Sequence, residues 1–246
     1  MRRCLELVFL LTTLLLTSCS GSSEKKYDLI AADPEWTSTV TFGKAPNLQG
    51  FTFDLVTAIA QSQKLSIKLF DTTTDRLIPD LDRNLYVASL STLSTTEENR
   101  AIYTFSDPIL PTGLVLVVPA NSKITSLKEL SWKEVGYNGS IAATRVLAQQ
   151  QNVLSKPYSN IAKALEDLQN QNIEGVVMDY LPAIGYCNNL YKNILKIVPQ
   201  LLTDESIHLV TLRKSPTPLT EKFNAGLQAM RENGSYEALR DKWKLK

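Results

Sequence analysis

The sequence predicts an α/β protein of two lobes, on three observations. Short apolar or alternating runs and stretches of helical period follow one another along most of the chain, the order that makes parallel strands with crossover helices. The same alternation restarts after "GLVLVVP" at 113–119, and a late run, "SIHLVTLRK" at 206–214, is apolar enough to be a strand returning to the first lobe. Setting aside the first 18 of 246 residues leaves 228, which suffice for one large domain or two small ones, and the restart favours two.

In chain order, residues 1–18 read as an export signal, because Arg2 and Arg3 precede an apolar run from Leu5 to Leu16 that is too short to span a bilayer as a mature helix. Leu16-Thr17-Ser18-Cys19 resembles the bacterial lipoprotein cleavage box, in which the cysteine receives lipid (palmitate among its acyl chains) and becomes the new N-terminus. Cys19 is then a lipid anchor, and residues 19–26, ending in "SGSSEKK", are a polar tether. Without Arg2, Arg3 and Glu6 the acidic and basic side chains balance, so a basic excess for phosphate backbones is lacking and no nucleic acid partner is expected.

Of three cysteines, Cys4 leaves with the signal and Cys19 is lipidated, so Cys187 has no intramolecular partner and reads as a small apolar residue. His208 is the only histidine, which argues against a zinc site or a histidine-based triad. No cofactor or metal is expected.

In the first lobe, "YDLIAA" is a strand, and "GFTFDLVTAIAQSQKL" carries Phe53, Val56, Ile59 and Ala60 at helical spacing. "SIKLF" alternates like a strand, "DRLIPDLDR" is a short helix with Pro79 near its start, and "LYVASLS" is a further strand. "TTEENRAIYTFSDP" begins as a helix and runs into a strand. In the second lobe "KEVGYN" is a strand, "SIAATRVLAQQQ" a helix, and "SNIAKALEDLQNQ" a helix capped by Ser159 or Asn160. "IEGVVMD" is a buried strand ending at Asp179, and the tail from Thr217 forms two helices separated at Gly234.

"GFTFDLVTAIA", "LIPDL", "STLSTTEENRAIYTFSDPILPTG", "IEGVVMD" and "MRENGSYEALRDKWK", in this order and spacing, resemble the bacterial extracellular solute-binding proteins of the polar amino-acid type, family 3. These are the capture components of ABC importers, and the resemblance covers Tyr27 to Lys246. It implies a periplasmic-binding-protein-like fold of type II: two α/β lobes, joined by a two-strand hinge, closing on a small ligand in the cleft between them. Lobe 1 would comprise residues 27–118 plus 212–246 and lobe 2 residues 119–211, with crossings near Val115 to Ala120 and His208 to Arg213. The implied partners are a small polar solute, an amino acid first, and an ABC permease, with membrane contact through the N-terminal lipid alone and the protein a monomer. It would be no enzyme. The alternatives are an exported lipoprotein whose altered or lost site serves sensing or interaction, and a dehydratase on the same fold. The latter needs an acid in the cleft, for which Glu35 or Glu97 would serve.

A free amino acid brings an ammonium and a carboxylate into a site that loses water on closing, so each charge needs a fixed partner. Asp179 matches the family's ammonium-binding acid, at the C-terminal end of a strand where ligands of α/β sheets sit; otherwise it caps the helix starting near Leu181. Asp33 is the matching acid on the other lobe's crevice edge, or a turn residue before Pro34, and Trp36 matches an aromatic wall. Ser140 corresponds to a hydroxyl that holds an anion together with helix-start amides, while also capping that helix. Thr92 and Ser94 fall in the segment that meets the ligand's amino and carboxyl ends, Thr92 where glycine is common.

Two positions depart from the family. The second aromatic wall falls on Thr74, and the carboxylate-binding arginine falls on Asn99, with Arg100 one position later. Either the helix register shifts, with Thr95 and Glu98 as a capping box and Arg100 as the clamp, or Asn99 stays in the site for a different ligand. In a third reading Arg100 is a surface charge paired with Glu97 and tight binding is lost.

Overall fold

The computed structural model describes residues 28–33, 48–215 and 218–245. The expected signal, the expected lipid anchor Cys19 and its tether, Glu35 and Trp36 lie outside these residues.

Among the described residues eleven strands make two sheets. The first holds β1 (Asp28–Ala32), β2 (Ile67–Asp71), β3 (Ala88–Ser91), β4 (Tyr103–Phe105) and β11 (Ser206–Leu212) in the order β2-β1-β3-β11-β4, with β5 (Leu110–Pro111) pairing the start of β11. The second holds β6 (Leu114–Pro119), β7 (Glu134–Tyr137), β8 (Leu154–Pro157), β9 (Gly175–Asp179) and β10 (Leu195–Leu201) in the order β10-β6-β9-β7-β8.

The two orders share one pattern. In each, three strands run parallel, β2-β1-β3 in one sheet and β8-β7-β9 in the other. A fourth runs antiparallel between the third strand and the edge: β11 in the first sheet, β6 in the second. The sheets are therefore mixed, not purely parallel as the alternation suggested. The antiparallel strand of each is the one the chain makes just after arriving from the other lobe.

This also moves the crossings. β6 lies wholly in the second sheet and β11 wholly in the first, so the chain passes between sheets near 112–113 and 202–205 rather than at 115–120 and 208–213. The run "LVLVV" explains the position of β6: Val115 and Val117 pack with Val176, Met178 and Leu165 on one face, while Leu114, Leu116 and Val118 pack with Leu127, Leu130 and Val135 on the other. A strand apolar on both faces must be covered on both.

Among the described residues eight α-helices cover the sheets: α1 (Leu48–Ser62), α2 (Leu77–Asp82), α3 (Glu97–Ile102), α4 (Ile141–Ala148), α5 (Ile161–Gln169), α6 (Tyr180–Asn188), α7 (Leu219–Glu232) and α8 (Ser235–Lys242). On α1 the buried stripe is Phe51, Leu55, Val56 and Ile59, each worth about 1.5–3 kcal/mol, and it packs with Phe223 and Leu227 of α7. Phe53, expected on that stripe, is 57% exposed, because two residues beyond Phe51 the helix has turned just over half a revolution and points away from the core. Gly226 lets α7 approach α1, since a Cβ there would lie 2.8 Å from Ile59 Cγ2. Gly234, at φ 79°, separates α7 from α8 as expected, and the Tyr236 hydroxyl ties α8 to the Ile109 carbonyl at 2.5 Å. The tail helices thus complete the core of the first lobe. Among the described residues no helix is long and apolar enough to cross a membrane.

Candidate functional site

A cleft of about 420 Å³ lies where the two sheets face each other across the crossings. Thr74 and Thr92 line it from the first lobe, Ala142 and Asp179 from the second, and Thr112, Gly113 and Glu205 from the crossings.

Asp179 ends β9, opposite Leu114 of β6, and occupies the N-cap position of α6. Its side chain makes no capping hydrogen bond. The first N–H of α6, from Tyr180, donates instead to the Gly113 carbonyl at 2.9 Å, so the crossing backbone serves this helix end and leaves the carboxylate to the cleft. The side chain is exposed to the cleft, yet protein behind it desolvates the charge, which raises its pKa, and the negative charge of Glu205 adds to the rise; its own backbone N–H opposes both.

Ser140 caps α4, accepting the Ala143 N–H at 3.2 Å, after Gly139 turns the chain at φ 71°. Ala142, in the first turn of α4, reaches the cleft, so this helix start faces it. Across the cleft Asp33 accepts a hydrogen bond from the Thr74 hydroxyl. The sequence did not pair these residues; the start of the short 3-10 turn at Thr74–Arg76 brings the hydroxyl to the end of β1.

Ser94, Asn99 and Arg100 do not line the cleft. The cap of α3 is Thr96, whose hydroxyl accepts the Asn99 N–H at 3.3 Å; no Thr95–Glu98 capping box forms. The Asn99 side-chain amide donates to the Ser94 carbonyl at 2.9 Å. Arg100 donates from Nε to the Thr95 carbonyl at 3.0 Å and lies 5.7 Å from the centre of the Phe105 ring, where cation–π attraction holds it. Its partners are thus a carbonyl and a ring rather than Glu97.

The other reactive types are inert here. Burial pushes the Cys187 thiol up to about 12, which keeps it protonated. His208 is buried, shares a 2.8 Å hydrogen bond between Nδ1 and the Ser106 carbonyl, and packs edge-on against Phe105; burial lowers its pKa. Among the described residues no group of three or more His, Cys, Asp or Glu side chains is arranged to hold a metal.

Sequence reasoning missed Glu205. It lies just ahead of β11, in the crossing, and its carbonyl accepts the N–H groups of Thr112 at 2.9 Å and Gly113 at 3.0 Å. Its Oε2 is sealed from solvent without a hydrogen-bond partner. The only signal in the sequence was an acid directly before an apolar strand, in "LLTDESIHLV".

Comparison with known proteins agrees with this architecture. The chain is 27% identical over 246 residues to the arginine-binding extracellular protein ArtP of Bacillus subtilis, covering 97% of this chain and 96% of the relative. Among solved structures, the second substrate-binding domain of a putative amino acid ABC transporter from Streptococcus pneumoniae superposes with a TM-score of 0.71 at 23% identity, covering 89% of this chain and 99% of that one. The unliganded, open L-cystine solute receptor of Neisseria gonorrhoeae superposes with a TM-score of 0.73 at 18% identity, covering 91% and 94%. Both are type II periplasmic binding folds, with two α/β lobes about a cleft. Residues 25–246 match the sequence pattern of one family, and the chain belongs to the bacterial extracellular solute-binding proteins, family 3.

Proposed function

We propose that this protein is the substrate-binding component of an ABC importer, which captures a small polar solute, an amino acid first, by closing its lobes about the crossings and hands it to a permease. The carrying observation is Asp179: a carboxylate at the end of a central strand, beside the hinge, freed from capping and facing a cleft between two lobes. An ammonium group is its natural counter-ion. The reading is supported by the family, and by the relative named for arginine binding.

Thr74 and Thr92 supply hydroxyls from lobe 1, Ser140 and the start of α4 supply amides from lobe 2, and Asp33 orients Thr74. Ser94, Asn99 and Arg100 support the loop behind Thr92 rather than clamp a carboxylate. The lobes divide at the crossings, and the chain acts as an exported monomer held to the envelope by lipid on Cys19, without catalysis. Binding energy drives closure, and the closed form is what the permease recognises.

Thermal unfolding against amino acids, small peptides and sugars tests this, because a ligand bound only by the folded state raises the midpoint by mass action. A shift with one group of amino acids is expected. No shift with any of them, in folded protein free of carried-over ligand, would overturn the reading.

A further inference from the structure

The tripeptide Asn-Gly-Ser occurs twice in the chain, at 138–140 and at 233–235. In both copies the asparagine and the glycine are exposed. The glycine takes a left-handed backbone in each, at φ 71° for Gly139 and 79° for Gly234, with nothing within 4 Å of where a Cβ would stand. The asparagine Oδ1 accepts the serine N–H in each, at 3.2 Å from Ser140 and 2.9 Å from Ser235, and a helix follows: α4 after the first, α8 after the second.

The copies differ at the glycine nitrogen. Gly234 donates to the Arg231 carbonyl at 3.3 Å, in the closing turn of α7, where Asn233 has φ −89° and ψ 0°. The Gly139 N–H has no hydrogen-bond partner among the described residues, and Asn138 lies between β7 and α4, outside any helix or strand. Asparagine is a labile residue, most of all before glycine, because no side chain shields the glycine nitrogen from the asparagine amide carbon.

The chemistry needs only water. The Gly139 nitrogen attacks Cγ of Asn138, forming a C–N bond and closing a five-membered succinimide, while the side-chain nitrogen leaves as ammonia with the proton from Gly139. Water then opens the ring at either carbonyl. The product is aspartate or, with the main chain rerouted through Cγ, isoaspartate.

Position makes this consequential. Asn138 fixes the Ser140 N–H, and Ser140 caps the helix whose start faces the cleft. Aspartate adds a negative charge beside the amides that would meet a ligand's carboxylate, and isoaspartate lengthens the backbone just ahead of them. We infer that Asn138 is a self-modification site, and that its conversion retires the solute site with age while the matching Asn233 endures. The inference rests on the capture function proposed above and adds a limit on how long each molecule performs it.

The experiment ages the full-length protein, purified in detergent, in mildly alkaline buffer at growth temperature. Peptide mapping by mass spectrometry follows both asparagines, and calorimetric titration with L-arginine, L-histidine and L-glutamine counts the competent sites. Asn138 should convert well ahead of Asn233, and competent sites should be lost in step with it. Asn138→Asp should weaken whichever probe the fresh protein binds by about tenfold or more, because it sets like charges side by side. Asn233→Asp should leave that affinity unchanged. Asn138→Ser keeps an acceptor for the Ser140 N–H without an amide, so its binding, whatever the starting affinity, should not decline with age.

No conversion at Asn138, or conversion no faster than at Asn233, would overturn the inference on a readout that needs neither ligand nor variant. Undiminished binding by aged protein whose Asn138 has converted would overturn it too; there capture stands and retirement falls. Fresh protein that binds none of the three probes removes both.

Discussion

The two lobes use the same strand order and treat their cleft edges in opposite ways. In lobe 1 the edge and the loop behind it are internally satisfied: at the cleft the Thr74 hydroxyl donates to Asp33, and behind it the Asn99 amide donates to the Ser94 carbonyl and Arg100 to the Thr95 carbonyl. In lobe 2 and the crossings, the Asp179 carboxylate is left uncapped and Glu205 Oε2 is left unpartnered. Equal topology therefore does not imply equal readiness for a ligand. One wall is preorganised by its own hydrogen bonds, while the other carries charge that only a partner can neutralise.

Removing that charge should produce the largest effect. Asp179→Ala is expected to weaken binding of the captured solute by roughly 2–5 kcal/mol, the range for truncating one side of a desolvated charge pair, as measured by calorimetric titration. Unchanged affinity would place the ligand's ammonium elsewhere and dissolve the contrast between lobes.

The next effect tests the junction between them. Gly113→Ala would set a methyl group 2.6 Å from the Thr203 carbonyl, a backbone atom that cannot swing away. The expected loss of stability is about 1–3 kcal/mol, read from denaturant unfolding, with ligand-induced closure altered in small-angle scattering. Gly226→Ala, which meets Ile59 inside lobe 1, should cost similar stability and leave closure untouched.

A smaller effect concerns pH. Because the pKa of Asp179 is raised in the folded chain, the folded state binds the proton more tightly than the unfolded state does. Ionising this group therefore opposes folding: the penalty is absent below the ordinary carboxylate range and complete above the raised value. Asp179→Asn should give the unliganded protein a higher unfolding midpoint than the parent at neutral pH. The difference should vanish at acid pH, where the parent's carboxyl is protonated as well.

The smallest effect is expected on the satisfied wall. Arg100→Ala should leave solute affinity within about twofold and reduce stability by less than about 1 kcal/mol, the range for one exposed cation–π contact. A large loss of affinity, measured beside Asp179→Ala, would show that Arg100 swings into the cleft on closing.

The sequence carried the elements well and the geometry of the edges poorly. Strands that are apolar on both faces, such as β6 and β9, and helices bounded by a clear cap, such as α5 with Asn160 accepting the Ala162 N–H at 2.8 Å, were legible from composition and period. β8, exposed along much of its length and ending in proline, and β5, two residues long, offer no such period and were missed. Asp179 was named from the family resemblance, and its place at the end of β9 was legible because that strand is a continuous apolar run.

The cap of α3 was not, because Ser94, Thr95 and Thr96 are equally able to accept a backbone N–H, and only the fold decides that Thr96 does. The same local decision directs Asn99 and Arg100 to carbonyls of their own loop. Glu205 was invisible for a different reason. Its importance comes from Thr112 and Gly113, far off in sequence, and no window along the chain contains them together.

The exchange of antiparallel strands also sets an order of assembly. The second sheet needs only β6 to β10, one continuous stretch between Leu114 and Leu201, so its strands are all present before the first sheet can finish. The first sheet waits for β11, which joins β3 from more than a hundred residues away, and its core waits longer still for α7 and α8. A chain emerging N-terminus first thus carries an unfinished first lobe, with β3 paired to β1 alone until β11 appears and the core open until α8 follows. Lobe 2 is the natural early folding unit, and lobe 1, whose contacts span the greatest sequence separation, closes the process.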